Sequence, residues 1–126
     1  MSAGSSGKVR KALGRIERIN QGLKREISEI IHMELRDPRL EFVTITCVEV
    51  TRDLQHAKVY YSVLGTPEKL ETVKECFERA KGYIRKLVGE RIKMRYTPEL
   101  NFIFDRSFEY AMRIDDELKK MKGHHE

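Results

Sequence analysis

The chain has 126 residues, enough for one domain with a buried core and too few for two. Apolar residues make up 40% and charged residues 36%, so this is a folded domain with a densely charged surface. A net charge of +5 points to a polyanionic partner. No apolar run approaches the roughly 20 residues of a membrane span, and MSAGSSGKVRK lacks the apolar centre of a secretory signal.

Residues 1–10 are small, polar and basic, and a flexible tail is expected there. Ile16, Ile19, Leu23, Ile27, Ile30 and Ile31 then form one helical stripe, which predicts a helix over 14–36. Asp37-Pro38 stops it, because the residue before a proline is pushed out of the α region. FVTITCVEV (42–50) is β-branched and reads as a strand. HAKVYYSV (56–63) alternates, with Ala57, Val59, Tyr61 and Val63 on one face. TRDLQ between them suggests an antiparallel hairpin, with Asp53 bonding a backbone N–H of the turn. Cys47 and Cys76 fall in apolar frames and read as small reduced hydrophobes.

Thr66-Pro67 is an N-cap followed by proline at the first helical position. The second helix carries Leu70, Val73, Phe77, Ala80, Ile84, Leu87 and Val88 on one stripe. LNFIF (100–104) is a third strand, and Ser107 could cap a last helix with Tyr110, Ala111, Ile114, Leu118 and Met121 inward. The order α-β-β-α-β-α is an α+β domain, a three-stranded sheet packed by helices.

Charge is unevenly placed along this order. Residues 8–25 hold seven bases and one acid, and residues 79–95 again hold seven bases and one acid, whereas residues 26–78 hold six bases and eleven acids. The first basic segment is Lys8, Arg10, Lys11, Arg15, Arg18, Lys24 and Arg25; the second is Arg79, Lys81, Arg85, Lys86, Arg91, Lys93 and Arg95. Helix polarity offers a purely structural account of the second, since bases favour the C-terminal half, and Glu75 could pair with Arg79 one turn on.

That account leaves Gly82 unexplained. A glycine inside a helix costs roughly 1 kcal/mol relative to alanine. With Ala80 at the centre of the apolar stripe, Gly82 falls at about 200°, on the outer face between Arg85 at about 140° and Lys86 at about 240°. Helix packing does not explain a glycine there. A helix break, or a ligand backbone approaching the main chain, does.

Helix, hairpin, interrupted helix and strand in this order resemble a type II KH domain. KH domains clamp single-stranded RNA with a GXXG loop, and this chain has Ala80-Lys81-Gly82 at the corresponding place. That departure, with LKREISEIIHMELRDPRL, VTITCVEVTRDLQHAKVYYSV and YTPELNFIFDRS in order, is similar to the bacterial ribosome-binding factor A family over roughly residues 14–115. The resemblance implies a KH-like domain over 11–106 with a mixed sheet and a kink at Ala80-Lys81-Gly82, followed by a C-terminal helix and tail over 107–126. It further implies a non-enzymatic cytoplasmic factor without cofactor or metal. Such a factor binds the free 30S subunit through 16S rRNA and assists its late maturation, 5′-end processing and growth in the cold. Neither a membrane nor a small-molecule substrate is implied, and a monomer is expected.

On that reading Arg79, Lys81, Arg85, Lys86, Arg91, Lys93 and Arg95 contact phosphates, with Gly82 allowing the approach. Arg10, Lys11, Arg15, Arg18, Lys24 and Arg25 form a second strip. The alternative is a general single-stranded-RNA module, for which Tyr60 is the main candidate stacking aromatic. Asp37, Asp53, His32 and His56 show no catalytic spacing, and His124-His125 lack a second ligand pair.

Overall fold

The computed structural model describes residues 3–106, with side chains from residue 14 onward. The first helix, α1, runs Ala3–Glu29 and continues as a π-helical segment over Ile30–Leu35. Its stripe is as expected: Leu23, Ile27, Ile30 and Ile31 are buried. The tail expected over residues 1–10 is continuous with α1 from Ala3. Once 14–29 is helical, each added residue gains a hydrogen bond without a new nucleation cost, and Lys8–Leu13 contains good helix formers.

Arg36 turns the chain out of the helix in a left-handed conformation (φ 47°), and Asp37 starts a 3-10 turn over Pro38–Leu40. The Arg39 N–H donates to Asp37 Oδ1 at 2.9 Å, and the Arg39 guanidinium sits 2.6 Å from Oδ2. These bonds to Arg39 hold the Asp37 carboxyl well below the usual carboxylate range. The Cys76 thiol, its pKa pushed up mainly by burial, donates to the same carboxylate at 3.4 Å. The helix stop is thereby fastened to the second helix.

Strands β1 (Val43–Val50) and β2 (His56–Val63) pair antiparallel, and β3 (Glu99–Phe104) lies parallel to β2 on its other side. A parallel neighbour needs a crossover, and helix α2 (Pro67–Arg91) supplies it. Thr66 caps α2 as its sequence suggests, with its Oγ1 accepting from the Lys69 N–H at 3.4 Å. Asp53 accepts the Gln55 N–H in the hairpin turn at 3.1 Å. A bulge between Ile45 and Cys47 shifts the register by one, so Cys47 is exposed rather than packed; Cys76 is buried.

Both helices cover one face of the sheet. Val43, Ile45, Val48, Ala57, Val59, Tyr61 and Leu100 meet Val73, Phe77, Ile84 and Val88 there. Phe77 is the centre of this packing, stacked on Phe102 at 4.3 Å between ring centroids and tilted against Tyr61 at 4.8 Å. On the outer edge of β1, Asn20 Oδ1 accepts the Val50 N–H at 2.9 Å, which ties α1 to that strand.

One expectation is corrected. Pro67–Arg91 is a single α-helix, so Ala80-Lys81-Gly82 does not interrupt it. Phe77, Ile84 and Val88 are buried on both sides of Gly82, and their packing outweighs a glycine penalty of about 1 kcal/mol. The helix expected after Ser107 lies outside the described residues.

Candidate nucleic-acid interface

The candidate interface lies where the chain doubles back from α2 into β3. Ile92 ends the helix in extended conformation, its N–H still bonded to the Val88 carbonyl at 2.8 Å. Residues 92–98 then return across the outer side of α2. A Cβ on Gly89 would stand 2.8 Å from Thr97 Oγ1, so this glycine is where the returning loop packs closely. Arg85, half-buried, donates through Nε and one terminal nitrogen to the Thr97 carbonyl at 3.2 and 2.8 Å. Pro98 is buried, and β3 begins with the Glu99 N–H bonded to the Gln55 carbonyl at 2.8 Å.

Between α2 and the start of β3 this leaves a cavity of about 220 Å³ lined by Lys81, Gly82, Arg85, Glu99, Leu100 and Asn101. Gly82 is exposed, and a Cβ built on it would meet nothing within 4 Å. Nothing inside the fold requires a glycine at this position. A larger groove of about 840 Å³ adjoins the cavity, sharing Lys81, Leu100 and Asn101, with Phe77 and Phe102 in its walls.

The expected contact residues divide into three groups. Arg79, Lys86, Lys93 and Arg95 are exposed and make no hydrogen bond or ion pair among the described residues. The Glu75–Arg79 pair does not form. Lys81 pairs with Glu78 at 2.7 Å, but both ends are solvent-exposed, and such a pair is worth at most about 1 kcal/mol. These five bases are open to an anion.

Arg85 and Arg91 are committed to the fold instead. Arg85 pins the loop through Thr97, so at most part of its guanidinium faces a ligand. Arg91 lies among three carboxylates, Glu34 at 2.6 Å, Glu26 at 3.3 Å and Glu29 at 3.7 Å, and clasps the end of α2 to the first helix. Its charge is already balanced locally.

Lys24 of the first basic strip lies apart from the second. Lys24 lines a cleft with Thr46 and Glu49 of β1, whereas Lys81 and Arg85 line the cavity against β3, at the opposite edge of the sheet. Where the two helices meet near Arg91, the charges are acidic. Arg15, Arg18 and Arg25 are exposed on α1; Arg10 and Lys11 belong to the part of α1 without described side chains.

Beside Phe42, which is 52% exposed before β1, two tyrosines escape the sequence reading. Tyr83 is 51% and Tyr96 50% exposed, while Tyr60 is half-buried. The Arg85 guanidinium lies 5.3 Å from the Tyr96 ring centroid. Tyr83 sits just outside the apolar stripe on the wheel, and Tyr96 stands in the loop just before Thr97-Pro98 and β3. Periodicity gives no signal for either. No group of three or more metal-ligating side chains is gathered among the described residues.

A family model described as ribosome-binding factor A matches residues 15–118. The ribosome-binding factor A of Halothermothrix orenii is 49% identical over 112 residues, covering 89% of this chain and 92% of that protein. That of Caldanaerobacter subterraneus is 46% identical over 114 residues, covering 90% and 93%. The crystal structure of ribosome-binding factor A from Thermus thermophilus superposes with a TM-score of 0.66 at 27% identity, covering 72% of this chain and 97% of that one. A homology model of Thermus thermophilus ribosome-binding factor A, fitted into the cryo-EM map of a 30S complex of that factor, superposes with a TM-score of 0.58 at 29% identity, covering 68% and 89%.

Proposed function

Because the chain belongs to the ribosome-binding factor A family, we propose that it binds the free 30S ribosomal subunit through 16S rRNA and assists late maturation of that particle. A relative fitted into a 30S complex carries this reading. The surface of α2 around Gly82 supports it physically. Arg79 and Lys86 offer unpaired charge to phosphates, Lys81 adds a charge held only by its exposed pair with Glu78, and Lys93 and Arg95 extend the surface beyond the helix. Gly82 leaves main chain bare between them. The continuous helix lacks the bent loop of a KH clamp, so backbone and shape are read here more than a base code.

We place the protein's work in the cytoplasm, where it assists 16S rRNA 5′-end processing and growth in the cold without catalysing a reaction itself. The first basic strip, of which Lys24 lies against β1, provides a second contact.

The test is co-sedimentation with isolated 30S subunits in the presence of random RNA of equal nucleotide content. Binding that survives the competitor is expected, with a logarithmic salt slope of roughly −3 for about four phosphate contacts. Loss of binding to the competitor at a stoichiometric ratio would favour the general single-stranded-RNA module instead.

A further inference from the structure

We propose that Tyr96 is a stacking platform for one unpaired nucleotide base, whose adjacent phosphate sits at the Gly82 cavity. This rests on the RNA-binding reading above and adds a type of contact to it. Half of the Tyr96 surface faces solvent. The ring is nevertheless not loose. The Arg85 guanidinium lies 5.3 Å from its centroid, and that guanidinium is itself held by two hydrogen bonds to the carbonyl of the neighbouring Thr97. Gly89 lets the loop lie close enough for this. The result is an aromatic surface fixed from beneath by a cation.

Arg85 also links the ring to the backbone site, since it walls the cavity that contains Lys81, Gly82 and Asn101. One side chain thus touches both the aromatic surface and the place where bare main chain and a lysine await a phosphate. A nucleotide presents those two groups together, a flat π-face and an anion. Duplex RNA keeps its bases stacked internally and has no free face to offer. The partner chemistry this arrangement fits is single-stranded RNA, at a bulge, loop or end. Arg85 acts here as a positioning residue.

The experiment compares wild type, Tyr96→Leu and Tyr96→Phe for affinity to isolated 30S subunits across a series of salt concentrations, with thermal melts as the fold control. Base–aromatic stacking is worth about 1–3 kcal/mol, so Tyr96→Leu should weaken binding by roughly ten-fold or more, and Tyr96→Phe should restore it. The salt slope should be the same for all three proteins, because no phosphate contact is removed. Wild-type affinity in a folded Tyr96→Leu protein would overturn the stacking proposal while leaving 30S binding intact. A changed salt slope in Tyr96→Leu would also overturn it, since it would mean the ring acts only by placing charges. Absence of 30S binding by wild type would instead overturn the functional reading on which the proposal rests.

Discussion

Replacing Arg79, Lys81 and Lys86 together by glutamate is expected to lower affinity for isolated 30S subunits by about 100-fold or more at physiological salt. Each phosphate contact contributes a factor of roughly four to five at about 0.15 M salt through counterion release, and three contacts multiply to about 100. Reversed charges add repulsion to that loss. The logarithmic salt slope should flatten by about 2–3 at the same time. All three side chains are exposed, and the Lys81–Glu78 pair is the one contact removed from the fold. The melting temperature should therefore move little. The measurement is a binding isotherm at several salt concentrations, beside a thermal melt. Undiminished affinity in the folded triple variant would remove this face from the interface.

Phe77→Ala is expected to destabilise the domain by about 3–5 kcal/mol, a large share of the 5–15 kcal/mol that holds a domain of this size together. Phe77 is 2% exposed, stacks on Phe102 and tilts against Tyr61, so the cavity left behind has rigid aromatic walls that cannot close over it. It also forms part of the groove between α2 and β3, so its loss loosens the surface that presents Lys81 and Gly82. Urea unfolding should show a lower midpoint with the slope nearly unchanged. A shift of less than 1 kcal/mol would mean that the aromatic stack is not the keystone of the sheet–helix packing.

The fold is legible in the sequence wherever a periodic apolar face decides it. The alternation of Ala57, Val59, Tyr61 and Val63, the α2 stripe and the Thr66-Pro67 start all appear where the pattern puts them. Periodicity fails where one residue breaks its own count. The bulge after Ile45 turns Cys47 outward, and the π segment over Ile30–Leu35 replaces the last turns of a regular helix.

The site is legible in its charge but not in its pairing. A wheel puts Arg85 on the outer face, and so it is, yet the irregular loop at 92–98 comes back to occupy it. No local pattern marks Glu26, Glu29 and Glu34 as partners of Arg91, because the fold joins segments more than fifty residues apart. Nor does the sequence show that Lys24 of the first basic segment lines a cleft on β1 while Lys81 and Arg85 of the second line the cavity against β3. Gly82 stood out as the helix glycine needing an explanation. Gly89, seven residues further on, is the one the fold itself uses.

Gly82→Ala tests the central claim most directly, because it separates stability from binding in a single substitution. The glycine lies within a continuous helix and an added Cβ meets nothing, so alanine should raise the stability by about 1 kcal/mol, or roughly 3–6 °C in melting temperature. If phosphate approaches bare main chain there, the same methyl group should weaken binding to isolated 30S subunits several-fold. A more stable protein that binds less well is the result this account requires. A more stable protein that binds as tightly as wild type would contradict it.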